Sequence, residues 1–136
     1  MRYGRRRQKR FPKNKKEMKP KDPFGSPIER RFFKSAENLG LTLIPQYKEA
    51  NYKLDFLYEQ DGYKFAIELD GSRYHKTRSQ MTHDYRRQRY LQKQGYLVVR
   101  FTGKEIKEDV AKCVNEFIEL KDKLIQYATG NRQFLS

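Results

Sequence analysis

Two alternating runs on either side of Asp61-Gly62 give the chain its clearest pattern of apolar and polar positions. Leu54 to Tyr58 and Phe65 to Leu69 each alternate with period two, and Asp-Gly favours a two-residue type I′ turn, so the spacing predicts a β-hairpin. With Asp61 and Gly62 as the loop, Asp55 falls opposite Glu68 and Lys53 opposite Asp70. Alternation sends Leu54, Phe56, Tyr58, Phe65, Ile67 and Leu69 to a core face, and Asp55, Glu68 and Asp70 to the other. Upstream, Ser26-Pro27-Ile28-Glu29 combines an N-cap serine, a proline at the first helical position and a capping-box glutamate. Ile28, Phe32, Ala36 and Leu39 carry that helix to Gly40. Leu41 to Tyr47 reads as a first strand, placed at an edge or a strand end by Pro45. Gly71 to Met81 reads as a loop, and Thr82 to Gln94 as a basic helix capped by Gly95. On that helix Asp84, Arg87 and Leu91 share a face, while Arg86 and Arg89 look outward. Tyr96 to Thr102 is apolar enough for a strand buried on both faces. A last helix runs from about Lys104 to Ala128, with Val110, Val114, Phe117, Lys121 or Leu120, and Leu124 as its stripe, Cys113 beside that stripe in the core, and Gly130 closing it. The order is helix, three strands, helix, strand, helix.

Composition adds a partner class. The chain's 136 residues suffice for one core and not two. They divide into a basic flexible arm (1–25), a folded unit (26–128) and a short tail (129–136). Lys and Arg number 31 against 17 Asp and Glu, a net charge of +14. Within residues 1–22 the count is 11 basic to 2 acidic, so the arm carries most of the excess. Such an arm suits a polyanion, because neutralising phosphates releases counterions. Arg5, Arg6, Arg7, Lys9 and Arg10 are its candidate phosphate contacts; the plainer reading is a solubilising tail. Arg73, Lys76, Arg78, Arg86 and Arg87 extend the candidate nucleic-acid surface onto the folded unit, and Arg73 and Arg78 read equally well as ordinary surface charges. Nucleic acid is favoured over an anionic membrane, since no apolar run approaches the roughly 20 residues of a membrane span. A single cysteine excludes an internal disulfide and fits a reducing compartment. A cytoplasmic setting is the expectation, and an Arg-rich start also suits an organellar or nuclear address.

The chemistry follows from the hairpin. Two carboxylates facing each other destabilise a sheet unless something offsets them, and a shared divalent cation does so economically. Mg²⁺ prefers oxygen ligands and needs only one or two carboxylates beside water and phosphate, so Asp55 and Glu68 could hold it, with Mn²⁺ as a substitute. His75, on the loop beyond Asp70, could act as a general base or donate to a leaving oxygen; a lone histidine is otherwise structural or exposed. Glu29 has a sufficient explanation as a capping residue, and Asp84 as charge complementing a helix dipole.

Taken together, Ser26-Pro27 with Glu29, Pro45-Gln46, Leu54-Asp55-Phe56, Ile67-Glu68-Leu69-Asp70-Gly71 followed by His75, Asp84 with Arg87, Leu91 and Gly95, and the Val98 to Phe101 strand resemble the very-short-patch-repair-like branch of the PD-(D/E)XK nucleases. That branch includes small bacterial domains and phage or intron homing endonucleases. The resemblance spans about residues 26 to 121. It implies a restriction-endonuclease-like α/β core, a mixed sheet of about four strands with flanking helices, and endonucleolytic hydrolysis of DNA by a metal-activated water. It implies that Asp55 and Glu68 are metal ligands, that His75 handles the water or leaving group, and that Glu29 and Asp84 complete the acidic and hydrogen-bonding frame; Asp70 is a further candidate catalytic residue. Asp70 stands where many members of the superfamily carry lysine, two residues after the glutamate. Lys53 and Lys64 are candidates for the missing charge, and the structural reading of Lys53 is an ion pair with Asp70. The alternative function is a DNA- or RNA-binding or assembly protein on a nuclease fold. DNA is favoured over RNA, and cutting both strands with one small site would take a homodimer or two successive nicks.

Overall fold

A computed structural model describes residues 22–71 and 76–135. Most of the basic arm, with Arg5, Arg6, Arg7, Lys9 and Arg10, lies outside the described residues, as do Arg73 and His75. The elements are α1 (Pro27–Asn38), β1 (Ile44–Glu49), β2 (Tyr52–Gln60), β3 (Tyr63–Asp70), α2 (Arg78–Lys93), β4 (Tyr96–Thr102), α3 (Gly103–Glu108) and α4 (Val110–Leu135). The four strands form one mixed sheet in the order β1-β2-β3-β4, with β3 and β4 parallel and the other pairs antiparallel. This is the expected α/β architecture with helices on both faces.

The hairpin forms in the expected register. Phe56 pairs with Ile67, Leu57 with Ala66 and Tyr58 with Phe65. Asp61 (φ 53) and Gly62 (φ 82) both occupy the left-handed region, as a type I′ turn requires. Pro45 does lie on an edge strand, although β1 starts at Ile44 and not at Leu41.

A core lies on each face. Phe32, Phe56, Phe65, Ile67, Phe101, Ile106, Val114 and Phe117 fill one side against α1, α3 and α4, with Cys113 among them. Leu54, Leu57, Ala66, Leu91 and Tyr96 fill the other under α2. Leu54 is therefore not on the Phe56 side as simple alternation predicts. The change falls where the Gln46–Asp55 pair is missing from an otherwise constant β1–β2 register and Gln46 has φ 52.

Four other expectations change. Helix α2 begins at Arg78, not Thr82, because Thr77 and Gln80 form a complete capping box. Thr102 and Glu105 form another, which starts α3 immediately after β4. The last predicted helix is two, divided at Asp109, and α4 continues through Gly130. Strand β4 is an edge strand, and its Arg100 and Thr102 are exposed. On α4 the inward position is Lys121, which bonds Gln60 Oε1 at 2.9 Å, while Leu120 is exposed.

Candidate active site

The β2–β3 ladder runs up to Phe56↔Ile67, and Asp55 and Glu68 come next. There the two carboxylates replace carbonyls as backbone partners. Asp55 N–H donates to Glu68 Oε2 at 3.3 Å, and Leu69 N–H donates to Asp55 Oδ2 at 2.7 Å. Each side chain thus satisfies amides that would otherwise be orphaned where the strands separate. The sequence register brought these two residues together correctly.

Glu29 approaches from the start of α1 and is buried. Its carboxylate accepts from Gly25 N–H at 3.2 Å, from the Ser26 hydroxyl at 2.9 Å and from Gln46 Nε2. Ser26 caps the helix through Glu29 N–H, but the reciprocal capping-box bond to Ser26 N–H is replaced by these three. Gly25 lets this packing close up: a Cβ there would lie 2.8 Å from Glu29 Oε2 and 3.1 Å from Gln46 Nε2, so both side-chain ends would have to shift. Gln46, left open by sequence between site and solvent, turns inward to Glu29.

From the other face, α2 contributes Arg87. Its guanidinium lies against Glu68 Oε1, donates to the Lys53 carbonyl at 2.7 Å and sits 5.8 Å over the Tyr52 ring. Arg87 is only 17% exposed, so it belongs to the acidic centre more than to the outer surface. Further out, Lys76 Nζ lies 2.6 Å from Asp84 Oδ2 and 3.4 Å from Asp70 Oδ2. The Asp84 hydrogen bond raises the Lys76 pKa, and Lys76 lowers that of Asp84. Because α2 starts at Arg78, Asp84 lies past the first turn, and the helix-dipole reading no longer accounts for it.

The two lysines considered for the missing charge differ in where they stand. Lys53 pairs in register with Lys48 of β1, and the β2–β3 ladder does not extend to it. Lys64 lies 4.4 Å over the Tyr96 ring, four residues and so roughly 13 Å along β3 from Glu68. Arg78, Arg86 and Arg89 are exposed along the outer side of α2.

Electrostatically the centre is over-acidic. Burial, with help from Glu68 and Glu29, pushes the Asp55 carboxyl up to about 7, against the opposing Leu69 N–H and Arg87. Glu68 is buried, and its Oε1 lacks a well-directed hydrogen bond among the described residues although Arg87 is in contact. The contact is therefore charge against charge rather than a directed hydrogen bond. Among the described residues no group of three or more His, Cys, Asp or Glu side chains is arranged to hold a metal. A carboxylate oxygen balanced by charge rather than by a directed hydrogen bond, beside a carboxyl that resists ionisation, nevertheless fits a cation held by two protein ligands, as Mg²⁺ accepts. Two clefts sharing Gly71 and Lys107 open beside this centre, one lined also by Asp70, Thr102 and Lys104, the other by Ser26, Glu29 and Leu69.

No helix among the described residues is long and apolar enough to cross a membrane. No curated protein matches the chain. Among solved structures, the chain is similar to one titled "Homing Endonuclease I-Bth0305I Catalytic Domain", with a TM-score of 0.56 at 18% identity over 70% of this chain and 93% of the other. At that identity the likeness speaks for the fold. A family model, REase_MTES_1575, matches residues 29–120, more than half of the chain and all four strands. With the mixed sheet and the paired carboxylates at the end of its central hairpin, that match settles the assignment: the chain belongs to the restriction-endonuclease-like REase_MTES_1575 family.

Proposed function

We propose that the protein is a metal-dependent endonuclease that hydrolyses phosphodiester bonds of DNA, related to the very-short-patch-repair-like branch of its superfamily. The observation that carries this reading is the interlocked pair of Asp55 and Glu68, side by side at the end of the β2–β3 ladder, with Glu68 Oε1 facing Arg87 and making no well-directed hydrogen bond among the described residues. Asp55 and Glu68 would hold Mg²⁺ or Mn²⁺. When bound, the ion supplies Lewis-acid polarisation of a phosphoryl oxygen and a water of lowered pKa.

The chain's own residues supply the rest. Leu69 N–H fixes the rotamer of Asp55, and Asp55 N–H fixes that of Glu68. Glu29, held by Gly25, Ser26 and Gln46, keeps negative potential on the α1 side. Lys76 bridges Asp70 and Asp84, tying the start of α2 to the end of β3. His75, proposed from the sequence alone, is the candidate proton carrier. Arg78, Arg86 and Arg89 bring the phosphate backbone to the sheet end, and a homodimer on substrate would allow both strands to be cut. An intracellular place of work accords with nucleic acid as substrate.

Incubating plasmid with the protein in Mg²⁺, in EDTA, and as Asp55→Ala in Mg²⁺ tests the reading. Nicking only in the first sample is expected. Equal nicking in all three would assign it to a contaminant or to another site.

A second reading draws on one observation: Arg87 already contacts Glu68, and Lys76 already lies between Asp70 and Asp84, so internal cations balance much of the centre. On this reading the fold serves DNA or structured RNA binding with little cutting. Nucleic-acid affinity without any Mg²⁺ or Mn²⁺ site dependent on Asp55 and Glu68 would favour it.

A further inference from the structure

Arg87 makes three contacts of unequal kind. Its Nη2 donates to the Lys53 carbonyl at 2.7 Å, and its guanidinium carbon lies 5.8 Å over Tyr52. Both anchors belong to β2 and involve no acidic group. The third contact, to Glu68 Oε1, is close, but that oxygen lacks a well-directed hydrogen bond among the described residues. A guanidinium that only neutralised Glu68 would be expected to lie in the carboxylate plane as a two-bond fork. Here Nη2 is also held by β2, and it meets Oε1 as charge against charge without a well-directed hydrogen bond among the described residues.

We propose that Arg87 is a built-in placeholder cation, neutralising Glu68 in the metal-free protein and giving up Oε1 when a divalent ion takes that oxygen. The inference rests on the metal reading of Asp55 and Glu68 above. Arg87 is a positioning residue in this scheme. Its anchors to Lys53 and Tyr52 keep it beside the acidic centre after the exchange, so the site retains a positive charge in a chain with aspartate at position 70. Guanidinium stays charged at every working pH, so the competition does not fade as pH rises.

Competition has a signature that a purely structural arginine lacks: removing the charge strengthens metal binding while weakening turnover. Calorimetric titration of the full chain with Mn²⁺ at pH 8 reads it. Arg87→Gln is expected to bind Mn²⁺ about tenfold more tightly than wild type, within the range over which neighbours of a metal site tune affinity, and to nick DNA more slowly. Asp55→Asn should lose binding in either background. Unchanged or weaker Mn²⁺ binding by folded Arg87→Gln, with wild-type binding that depends on Asp55, overturns the placeholder role and leaves the metal site standing. Absence of binding in both wild type and Arg87→Gln overturns the metal reading and this inference with it. If Arg87→Gln does not fold, the wild-type protein decides by NMR: the Arg87 Nε–Hε signal, assigned by its loss in Arg87→Lys, should move on Mg²⁺ titration, and a stationary signal under saturating Mg²⁺ overturns the proposal.

Discussion

Glu68 Oε2 accepts the backbone N–H of Asp55 at 3.3 Å, so the carboxylate of one candidate ligand is wired to the main chain of the other. Asp55 Oδ2 in turn accepts Leu69 N–H at 2.7 Å. An asparagine at 55 retains an oxygen for that amide and loses only the charge. Asp55→Asn should therefore abolish Mg²⁺-dependent nicking by about 100-fold or more while raising the metal-free melting temperature at pH 8. Relief of roughly 1 kcal/mol would raise Tm by about 3–6 °C for a domain of this size. Plasmid nicking and calorimetry on the same preparation check both halves, and a lowered Tm would contradict the over-acidic description of the site.

The raised Asp55 pKa makes a pH prediction with a definite sign. Folded, the carboxyl holds its proton up to about 7; its ordinary value is 3.8. Between those limits the native state binds a proton that the unfolded state has released, so this group's contribution to stability falls as pH rises from about 4 to 7. The slope is at most about 1.4 kcal/mol per pH unit and smaller after solvent screening. Urea midpoints of metal-free protein at pH 5, 6, 7 and 8 should decline, and Asp55→Asn should remove that part of the decline. Saturating Mg²⁺ should flatten it as well, since the ion favours the ionised form.

Phe56 is fully buried between Phe32 and Phe33, with ring centroids 5.8 and 6.1 Å away, one residue from Asp55. Phe56→Ala should cost about 3–5 kcal/mol. Chemical denaturation measures the loss. Activity should fall with the folded fraction and recover where the variant is folded, provided Phe56 is core alone.

Where β4 passes into α3, Gly103 lies against the end of β3. An added Cβ would meet Gly71 Cα at 3.1 Å and the Asp70 carbonyl at 3.4 Å, both backbone atoms unable to rotate away. Gly103→Ala should destabilise by about 1–3 kcal/mol and push α3 from the Asp70–Gly71 corner. The expected readout is a lowered denaturation midpoint together with reduced nicking; a neutral midpoint would show that the corner yields freely.

The outward side of α2 exposes Arg78, Arg86 and Arg89, while its one aspartate, Asp84, is held by Lys76. Charge reversal at Arg86 and Arg89 together should weaken DNA binding and reduce the slope of log affinity against log salt by about 1 for each phosphate that is no longer neutralised. An unchanged slope would place DNA on another face.

What was readable in the sequence was local. The Asp61-Gly62 turn and the alternation beside it set the hairpin register, and the register alone brought Asp55 to Glu68. The Asp84, Arg87 and Leu91 face was equally legible from helical spacing, and Leu91 is fully buried as that spacing requires. Two capping boxes, Thr77 with Gln80 and Thr102 with Glu105, were present as signals and would have placed the starts of α2 and α3.

The remainder depended on contacts between elements far apart in the chain. Period two could not show that a pair is missing at Gln46, nor that Leu54 packs under α2. Nor could it show that Glu29 exchanges its capping-box bond for Gly25, Ser26 and Gln46. Arg87 is the sharpest case. Its spacing placed it on the inner face of a helix, but whether that face met phosphate or Glu68 depended on how α2 docks across the sheet. Turn chemistry and side-chain periodicity act over a few residues and are written in the sequence; the charge balance of a site is summed over every element packed around it, and only the folded chain performs that sum.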